Sequence, residues 1–158
     1  MRRKDREIPN LSGILAILAR CGVMRLGLCD GDKPYVVPMH FAVEEGGNGI
    51  TIYFHCAKEG RKIDVLTRNP NACFEADNLL GVVPADSACN WSSQFESVVG
   101  EGQIALVADA AEKIRALDAI MAKYGHSGKP AYTATALAAV CVLRLAVESV
   151  TAKTNLPG

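Results

Sequence analysis

The stretch WSSQFESVVGEGQIALVAD, residues Trp91–Asp109, decides the fold class that this sequence predicts. Its length and its content of β-branched and aromatic residues predict a long strand. Gly100 and Gly102 lie near its middle, and glycines inside a strand mark the bulges and bends by which a sheet closes into a barrel. A long strand with a glycine bend therefore favours a small barrel.

Five other segments show the alternation or the composition of strands, and short turn sequences separate several of them. DGDK at residues 30–33 and EEGGNG at residues 44–49 are such turns. Pro38 falls inside the second segment and predicts an edge position, a bulge or an interruption there. The five segments are residues 23–29, 35–43, 50–56, 71–77 and 140–153.

Helical spacing of apolar residues predicts a first helix that begins at Leu11 and stops before Gly22. A second, short helix is predicted from Gly60 to Arg68, because Asn69–Pro70 follows it. Asp109, with Glu112 three residues later, resembles a capping box and starts a third helix.

The third helix is expected to carry its apolar side chains on one face: Ile114, Leu117, Met121 and Tyr124. Thr133 is expected to cap a further short helical turn. Residues 78–90, with Gly81 and Pro84, are predicted to be a long loop. The elements together predict a mainly β protein with about six antiparallel strands, two or three peripheral helices and one domain over residues 1–158.

The composition is that of an ordinary globular protein, with 49% hydrophobic and 22% charged residues. Lys and Arg together number 17, as do Asp and Glu, so no net field attracts nucleic acid or an anionic membrane. No segment is apolar over a bilayer's thickness, and the charged start MRRKDREIPN lacks the apolar run of a signal peptide. We therefore expect a cytoplasmic protein without nucleic-acid or membrane partners.

Six cysteines are distributed along the chain without any C-x-x-C pair, which argues against a zinc ribbon. In a cytoplasmic protein they are expected to be reduced thiols, mostly buried as small apolar side chains. Three disulfides are the alternative that an even number of cysteines allows.

Three cations, Lys58, Arg61 and Lys62, lie within YFHCAKEGRKID at residues 53–64, where a strand gives way to a helix. If the helix begins early, they share one face and repel each other, and the helix dipole also disfavours cations at its N-terminus. A bound phosphate would reverse both penalties, and Gly60 would let the backbone approach it closely. The alternative is a solvated helix face where the cations pair with neighbouring carboxylates, Glu59 and Asp64.

His55 ends the strand that precedes these cations, where it is either a hydrogen-bond donor to a ligand or a polar residue of the rim. Together with His40 and Cys56 it lacks the spacing of a metal site, so no metal is expected. Nearby cations would favour the Cys56 thiolate if it were exposed, but no base that would make it a nucleophile can be assigned.

Four segments resemble the nitroimidazole-resistance branch of the pyridoxamine 5′-phosphate oxidase-like flavoproteins. They are MRRKDREI at residues 1–8, RLGLCDGDKPYVVPMHF at 25–41, IYFHCAKEGRKIDVLTRNPNACFE at 52–75 and ACNWSSQFESVVGEGQI at 88–104. The resemblance implies an FMN-binding split β-barrel that works as a homodimer, with FMN in a cleft at the subunit interface.

The resemblance also implies the residues that bind the cofactor. Lys58 and Lys62 match positions that hold the FMN phosphate, Gly60 allows close backbone approach, and Arg61 is the weaker cation. The strand expected along the isoalloxazine carries Val37, Pro38 and Met39. Phe54 and His55 match the strand end beside the cofactor, where the histidine is tied to catalysis or ligand binding. The segment expected to close the site, either from the same subunit or from the other one, carries Trp91, Ser97 and Val98.

The implied function is an FMN-dependent oxidoreductase that reduces small electron-poor molecules such as nitroimidazoles and nitroaromatics. The alternative is a non-catalytic flavin-binding stress or sensor protein, or a haem- or deazaflavin-binding relative. The full arginine set that binds the phosphate of pyridoxamine phosphate is not found, which disfavours that substrate, and Ala152 stands where glycine is more usual. No G-x-G-x-x-G follows a strand, so no Rossmann-type NAD(P)H site is expected.

Overall fold

The computed structural model describes residues 3–47 and 49–156. The strands are β1 Glu7–Ile8, β2 Met24–Asp30, β3 Lys33–Met39, β4 Phe41–Gly46, β5 Gly49–Ala57, β6 Asn71–Val83, β7 Ser92–Leu106 and β8 Val140–Thr154. The helices are α1 Leu11–Arg20, α2 Arg61–Arg68, α3 Ala110–Lys123 and α4 Ala134–Ala139. The strands form one antiparallel sheet in the order β3-β2-β6-β7-β8-β5-β4, and β1 pairs with β8.

The bend predicted in the long strand β7 is confirmed. β7 pairs with β6 on one side and with β8 on the other, and its register against β8 shifts between Glu101 and Gly102. A Cβ atom on Gly102 would overlap the carbonyl oxygen of Ala146 on β8, so the close approach of the two backbones requires glycine. Such a bulge increases the local twist and allows the sheet to curl.

The predicted fold class, mainly β with peripheral helices in a split barrel, is confirmed, and the structure has eight strands instead of about six. One addition is the short strand β1, and the other comes from the segment containing Pro38, which divides at His40 into β3 and β4. These two strands are the opposite edges of the sheet. Pro38 stays within β3, opposite Arg25, on an edge strand where a missing N–H is tolerated.

The barrel interior is filled by side chains that alternate along the strands. Phe41, Phe54 and Phe74 are its largest members and are at most 1% exposed. Burial of each such side chain contributes roughly 2–3 kcal/mol. Helix α1 packs against this core with Ile14, Ile17 and Leu18.

A second, smaller core lies outside the barrel, between the outer face of the sheet and α3. Its sheet residues are Ala42, Tyr53 and Val142. The buried stripe of α3 was expected to include Met121 and Tyr124, but both are 40% exposed. Leu117 is buried as predicted, and the other buried residues of the helix are Ala116 and Ile120. Ala116 carries little apolar signal in the sequence, yet its small side chain lets the helix approach the sheet closely.

The long loop predicted over residues 78–90 is wrong. β6 continues to Val83 and pairs with β7 as far as Ser92, so the two strands form a long hairpin. The register shifts between Leu79 and Gly81, so Leu80 is the extra residue of a bulge, and Gly81, one of the residues that favoured a loop, pairs with Gln94 in the continuing strand. Only the segment after Val83 turns, through a 3₁₀ turn at Ala88–Asn90.

The expectation that most cysteines are buried is also wrong, although all six are free thiols. Cys21 is buried, Cys56 and Cys141 are half-buried, and the other three are exposed: Cys29, Cys73 and Cys89. The cause for the strand cysteines is alternation, because the neighbours of Cys73, Ala72 and Phe74, point into the barrel and Cys73 therefore points outward.

A buried ion pair connects α1 to the sheet. The side chain of Glu96 on β7 is only 2% exposed and accepts two hydrogen bonds from the Arg20 guanidinium, Nε to Oε1 at 2.9 Å and Nη2 to Oε2 at 2.5 Å. Asn78 donates a further hydrogen bond to Oε1 at 2.9 Å. These hydrogen bonds hold the pKa of Glu96 below its usual range, against the opposing effect of burial.

The helix caps predicted from the sequence are confirmed. Asp109 accepts a hydrogen bond from the Glu112 backbone N–H at 2.7 Å, and Thr133 accepts one from the Ala136 N–H at 3.1 Å. Within the described ranges, no helix combines the length and the apolar character needed to cross a bilayer.

Candidate functional site

The end of β3 forms one wall of the candidate site. Val37 is half-buried, Pro38 is exposed and Met39 is buried at the point where the chain leaves the edge strand. Pro38, Met39 and His40 line a shallow cavity of about 220 Å³ together with Val23. His40 joins β3 to β4, which are the two edge strands of the sheet.

The end of β5 supplies a second wall. Phe54 pairs with Phe41 of β4 and Leu143 of β8, and its side chain is completely buried in the barrel core. His55 follows on the opposite face of the strand and is exposed. Contact of Phe54 with a ligand is thus limited to its backbone, whereas the imidazole of His55 is accessible.

Helix α2 begins at Arg61, so Lys58 precedes the helix and does not share a helical face with Arg61 and Lys62. Gly60 is the N-cap residue, with a φ of +120°, a conformation that favours glycine. No atom lies within 4 Å of the position that a Cβ on Gly60 would occupy. The backbone at the start of α2 is therefore open to an approaching group.

The three cations of this segment differ in their contacts. Arg61 donates a hydrogen bond to Asp30 at 3.2 Å and stacks over the Tyr35 ring at 4.4 Å. The Lys62 ammonium lies 3.2 Å from the Met39 sulfur. Among the described residues, no carboxylate forms an ion pair with Lys58 or Lys62.

The contacts bear on the two interpretations of the cation cluster. A solvated face required ion pairs from Glu59 and Asp64, and neither carboxylate pairs with a cation of the cluster in the part of the chain that the structure describes. Arg61 is committed to Asp30, which Arg68 also binds at 2.6 Å. Lys58 and Lys62 are therefore the cations best placed to bind an external anion.

His40 and Lys62 are close enough to His55 to act on its ionisation. Desolvation by the surrounding residues is the main cause that lowers the pKa of His55, and the charges of His40 and Lys62 lower it further. The Tyr124 ring lies 4.4 Å from the His40 ring, and its hydroxyl donates to the Gly22 carbonyl at 2.9 Å. Tyr124 thus holds His40 beside the site.

Sequence reasoning considered His40 only as a metal ligand, and therefore missed it as a member of this basic group. A signal was available in PMHF, residues 38–41, where a proline and a histidine interrupt two strand segments. A second signal was the predicted turn at residues 44–49, because it pairs β4 with β5 and sets Phe41 opposite Phe54, which brings His40 beside His55.

Cys56 lies directly opposite Cys141 in the β5–β8 pair. Burial raises the pKa of the Cys56 thiol to about 11, and the nearby Lys62 only partly offsets this. The thiolate that the neighbouring cations would favour in an exposed cysteine is therefore not favoured here.

The remaining predicted site residues lie elsewhere in the chain. Trp91, 58% exposed, is at the tip of the β6–β7 hairpin. Val98 is buried opposite Ala152 of β8, whereas His55 is opposite Val142 of β8. Val142 and Ala152 are separated by about 33 Å along the strand, at roughly 3.3 Å per residue.

Ser97, beside Val98, is half-buried opposite Lys153. By register, Ser97 and Val98 therefore lie near the opposite end of β8 from Phe54 and His55. The other predicted residues belong to β3, to the segment before α2 and to α2, and Trp91 precedes β7.

Comparison with known proteins identifies the family. The family model described as pyridoxamine 5′-phosphate oxidase matches residues 12–154. The chain belongs to this family. A solved structure of a candidate 5-nitroimidazole antibiotic resistance protein from Bacteroides thetaiotaomicron is 32% identical with a TM-score of 0.80, and the match covers 94% of this chain and 86% of that chain. The family and branch drawn from the sequence are confirmed.

Two more distant structures share the fold. The flavocytochrome Anf3 from Azotobacter vinelandii is 24% identical with a TM-score of 0.81, over 99% of this chain and 72% of that chain. The FAD and heme binding protein from Mycobacterium smegmatis is 22% identical with a TM-score of 0.81, over 94% of this chain and 73% of that chain. No curated protein sequence matches the chain.

Proposed function

We propose that this protein binds FMN and is an oxidoreductase that reduces small electron-poor molecules such as nitroimidazoles and nitroaromatics. The observation that carries the proposal is the pair of cations Lys58 and Lys62 beside the open N-terminus of α2, next to the end of β3. Family membership and the 32% identical resistance relative support it. The two more distant relatives, a flavocytochrome and an FAD and heme binding protein, are consistent with a flavin on this fold.

The start of α2 fits the phosphate of FMN. A phosphate is dianionic or nearly so at neutral pH, and it is stabilised by ammonium groups and by the N–H groups at a helix N-terminus. Lys58 and Lys62 provide the ammonium groups, and Gly60 leaves the backbone uncovered. In the proposed complex, Arg61 contributes less because it already binds Asp30.

The end of β3 is the proposed seat of the flavin ring, along Val37, Pro38 and Met39. As an edge strand, β3 has one side that no other strand covers, and its backbone groups there are available to a ligand. Phe54 backs the neighbouring wall from within the core. Bound FMN would supply the electron transfer, and the protein would orient it and tune it.

His55 is the proposed catalytic residue. Its pKa is lowered from the usual value, so the imidazole is mostly neutral at neutral pH and carries one N–H donor and one acceptor. A neutral imidazole donates a hydrogen bond to a polar atom of the substrate or cofactor without adding a charge. An approaching negative charge would favour its protonation and make it a proton donor.

We also propose that the protein is a homodimer in which Trp91, Ser97 and Val98 of one subunit complete the site of the other. The separation of Ser97 and Val98 from His55 along β8 supports this arrangement. The β6–β7 hairpin also exposes large apolar side chains, which is typical of an interaction surface. They are Leu79, Leu80, Val82, Val83 and Trp91, each at least 40% exposed.

A visible spectrum tests the cofactor. We expect a yellow preparation that releases FMN on denaturation, and a colourless protein that FMN cannot reconstitute would contradict the proposal. Lys58→Glu with Lys62→Glu should weaken FMN binding by roughly 100-fold or more, since each charged hydrogen bond contributes about 1.5–3 kcal/mol. The matched control, Lys4→Glu with Lys129→Glu, makes the same charge change at two exposed residues outside α2 and β3 and should retain FMN.

Turnover tests the activity separately from binding. Anaerobic reduction of a nitroimidazole by the FMN-loaded protein with a chemical or nicotinamide donor is expected, and His55→Gln should lower the rate while FMN stays bound. Stable FMN binding without turnover with any donor would favour the non-catalytic alternative. Sedimentation of the protein as a monomer at micromolar concentration would contradict the dimer.

A further inference from the structure

A separate cavity of about 240 Å³ lies on the outer face of β5, beneath α3 and α4, with His55 on its wall. The cavity does not include Lys58, Gly60 or Lys62, so it is distinct from the proposed phosphate site. Its other lining side chains are mainly apolar and come from both helices and the start of β8: Leu117, Ile120, Met121, Ala136, Leu137 and Val140.

The cavity walls are held in place by polar contacts outside the cavity. The Lys113 ammonium donates hydrogen bonds to the carbonyl oxygens of Leu137 and Val140, both at 2.6 Å, and so fixes the end of α4 to α3. The Tyr132 hydroxyl donates to the Asp118 carboxylate at 2.9 Å. These contacts fix the position of α4, a helix of only six residues, beside α3.

His55 is the basic residue in the lining of the cavity. Lys62 of α2 and His40 of the β3–β4 junction lie outside that lining but are close enough to act on the ionisation of His55. Over residues 3–47 and 49–156, no carboxylate forms a hydrogen bond or ion pair with any of these three side chains.

We propose that this cavity is the substrate pocket and that it takes a small molecule with an apolar ring and a planar anionic or oxygen-rich group directed at His55. An engineered apolar cavity of about 150 Å³ binds benzene, so the larger cavity here accommodates one ring with a substituent. A carboxylate and a nitro group are both planar groups with two oxygens. Because the Lys62 ammonium adds positive charge near His55, the carboxylate is bound more tightly than the nitro group.

The role of the cavity as a substrate pocket rests on the proposed oxidoreductase function. Binding itself does not require turnover and is measured separately from FMN retention. Sodium benzoate is the anionic probe, nitrobenzene is the neutral probe with the same shape, and benzyl alcohol is the control without a planar two-oxygen group. The readout is the imidazole NMR signal of His55 during titration of the FMN-loaded protein.

We expect benzoate to raise the pKa of His55, and its affinity to increase as the pH falls below about 6.5, the usual pKa of histidine. Lys62 is close enough to act on His55 and favours the same anion, and Tyr132, which lines the cavity, stays neutral because burial raises its pKa to about 12. Nitrobenzene should bind more weakly than benzoate and benzyl alcohol more weakly still. Equal binding of all three probes would overturn the chosen substrate class.

A pair of variants on α4 locates the probe. Leu137→Trp fills the cavity and should weaken benzoate binding at least tenfold, whereas Ala138→Trp, on the exposed side of the same helix, should leave it unchanged. Met121→Trp narrows the cavity from α3 and should give the same loss if Leu137→Trp disturbs folding. FMN absorbance should be retained in all three variants. Unchanged benzoate affinity in both cavity variants would overturn the proposal, even if FMN binding and turnover are as proposed.

Discussion

The Arg20–Glu96 pair and the Lys58–Lys62 pair show how differently this protein places its charges. Arg20 reaches a carboxylate that is 2% exposed and forms two hydrogen bonds with it, so both charges are satisfied within the chain. Lys58 and Lys62 lie beside a helix N-terminus without a carboxylate partner among the described residues. The first arrangement stabilises the fold, and the second leaves positive charge available for a ligand. We therefore expect substitutions in the Arg20–Glu96 pair to lower the free energy of unfolding, and substitutions in the Lys58–Lys62 pair to lower the affinity for FMN.

The largest expected effect on stability comes from Arg20→Met. This change keeps most of the apolar stem but leaves the Glu96 carboxylate buried with Asn78 as its remaining partner, so it should cost about 2–3 kcal/mol of the free energy of unfolding. Urea denaturation at pH 7 measures it. Arg25→Met removes pairs with Glu75 and Asp77 that are more exposed, and as the matched control it should cost under about 1 kcal/mol.

The pH dependence of the free energy of unfolding of the same variant tests the direction in which the ion pair affects stability. The folded-state pKa of Glu96 is lowered, so the stabilisation from the pair is fully present above the unfolded pKa of about 4.3. It is lost as the pH falls through the folded pKa. The difference between wild type and Arg20→Met should therefore shrink in acid, and a difference that grows in acid would contradict the structural role of the pair.

Lys62→Met tests the other half of the comparison. The flexible Met side chain replaces an ammonium that has no acidic partner, so the free energy of unfolding without cofactor should change by less than about 0.5 kcal/mol. FMN affinity should fall about tenfold, which corresponds to about 1.4 kcal/mol. Equilibrium denaturation and fluorescence titration with FMN measure the two quantities. A large loss of stability with unchanged affinity would show that Lys62 is a structural residue.

His55 provides a smaller effect, measured as a change in its titration. NMR titration of the cofactor-free protein should give His55 a pKa below 6.5, because desolvation and two nearby basic groups favour its neutral form. His40→Gln removes one of those groups and should raise the pKa of His55. His126→Gln is the control, because His126 follows α3 and does not contribute to the pKa of His55. An unaltered titration in His40→Gln would show that the two histidines do not interact.

The smallest effect concerns the reactivity of the half-buried Cys56 thiol. It does not bear on the two charge pairs but tests whether burial keeps this thiol protonated. Its pKa of about 11 means that little thiolate forms near neutral pH, and iodoacetamide should alkylate it slowly at pH 8. Cys89 is exposed and should react first. Peptide mass spectrometry over time distinguishes the two sites. Faster alkylation of Cys56 than of Cys89 would show that Lys62 activates the thiol.

Several features of the molecule were readable from local sequence because they depend on neighbouring residues. The caps at Asp109 and Thr133 are hydrogen bonds over three residues, and strand alternation placed Phe54 and His55 on opposite faces. The cation cluster and Gly60 also occupy one short segment. The glycine bend of β7 predicted a barrel because a strand that curls needs backbone approaches that side chains would prevent.

Only the tertiary structure decided which charges are satisfied and which groups meet. Glu96 finds Arg20 from 76 residues away, Arg61 finds Asp30 instead of Glu59 or Asp64, and Lys62 of α2 lies beside Met39 of the edge strand β3. The continuation of β6 over residues 78–83 likewise depends on its pairing with β7. The burial of Ala116 on α3 depends on the sheet against which the helix packs. Local pattern determines the conformation of a segment, but the partner of a side chain is set by how the whole sheet curls.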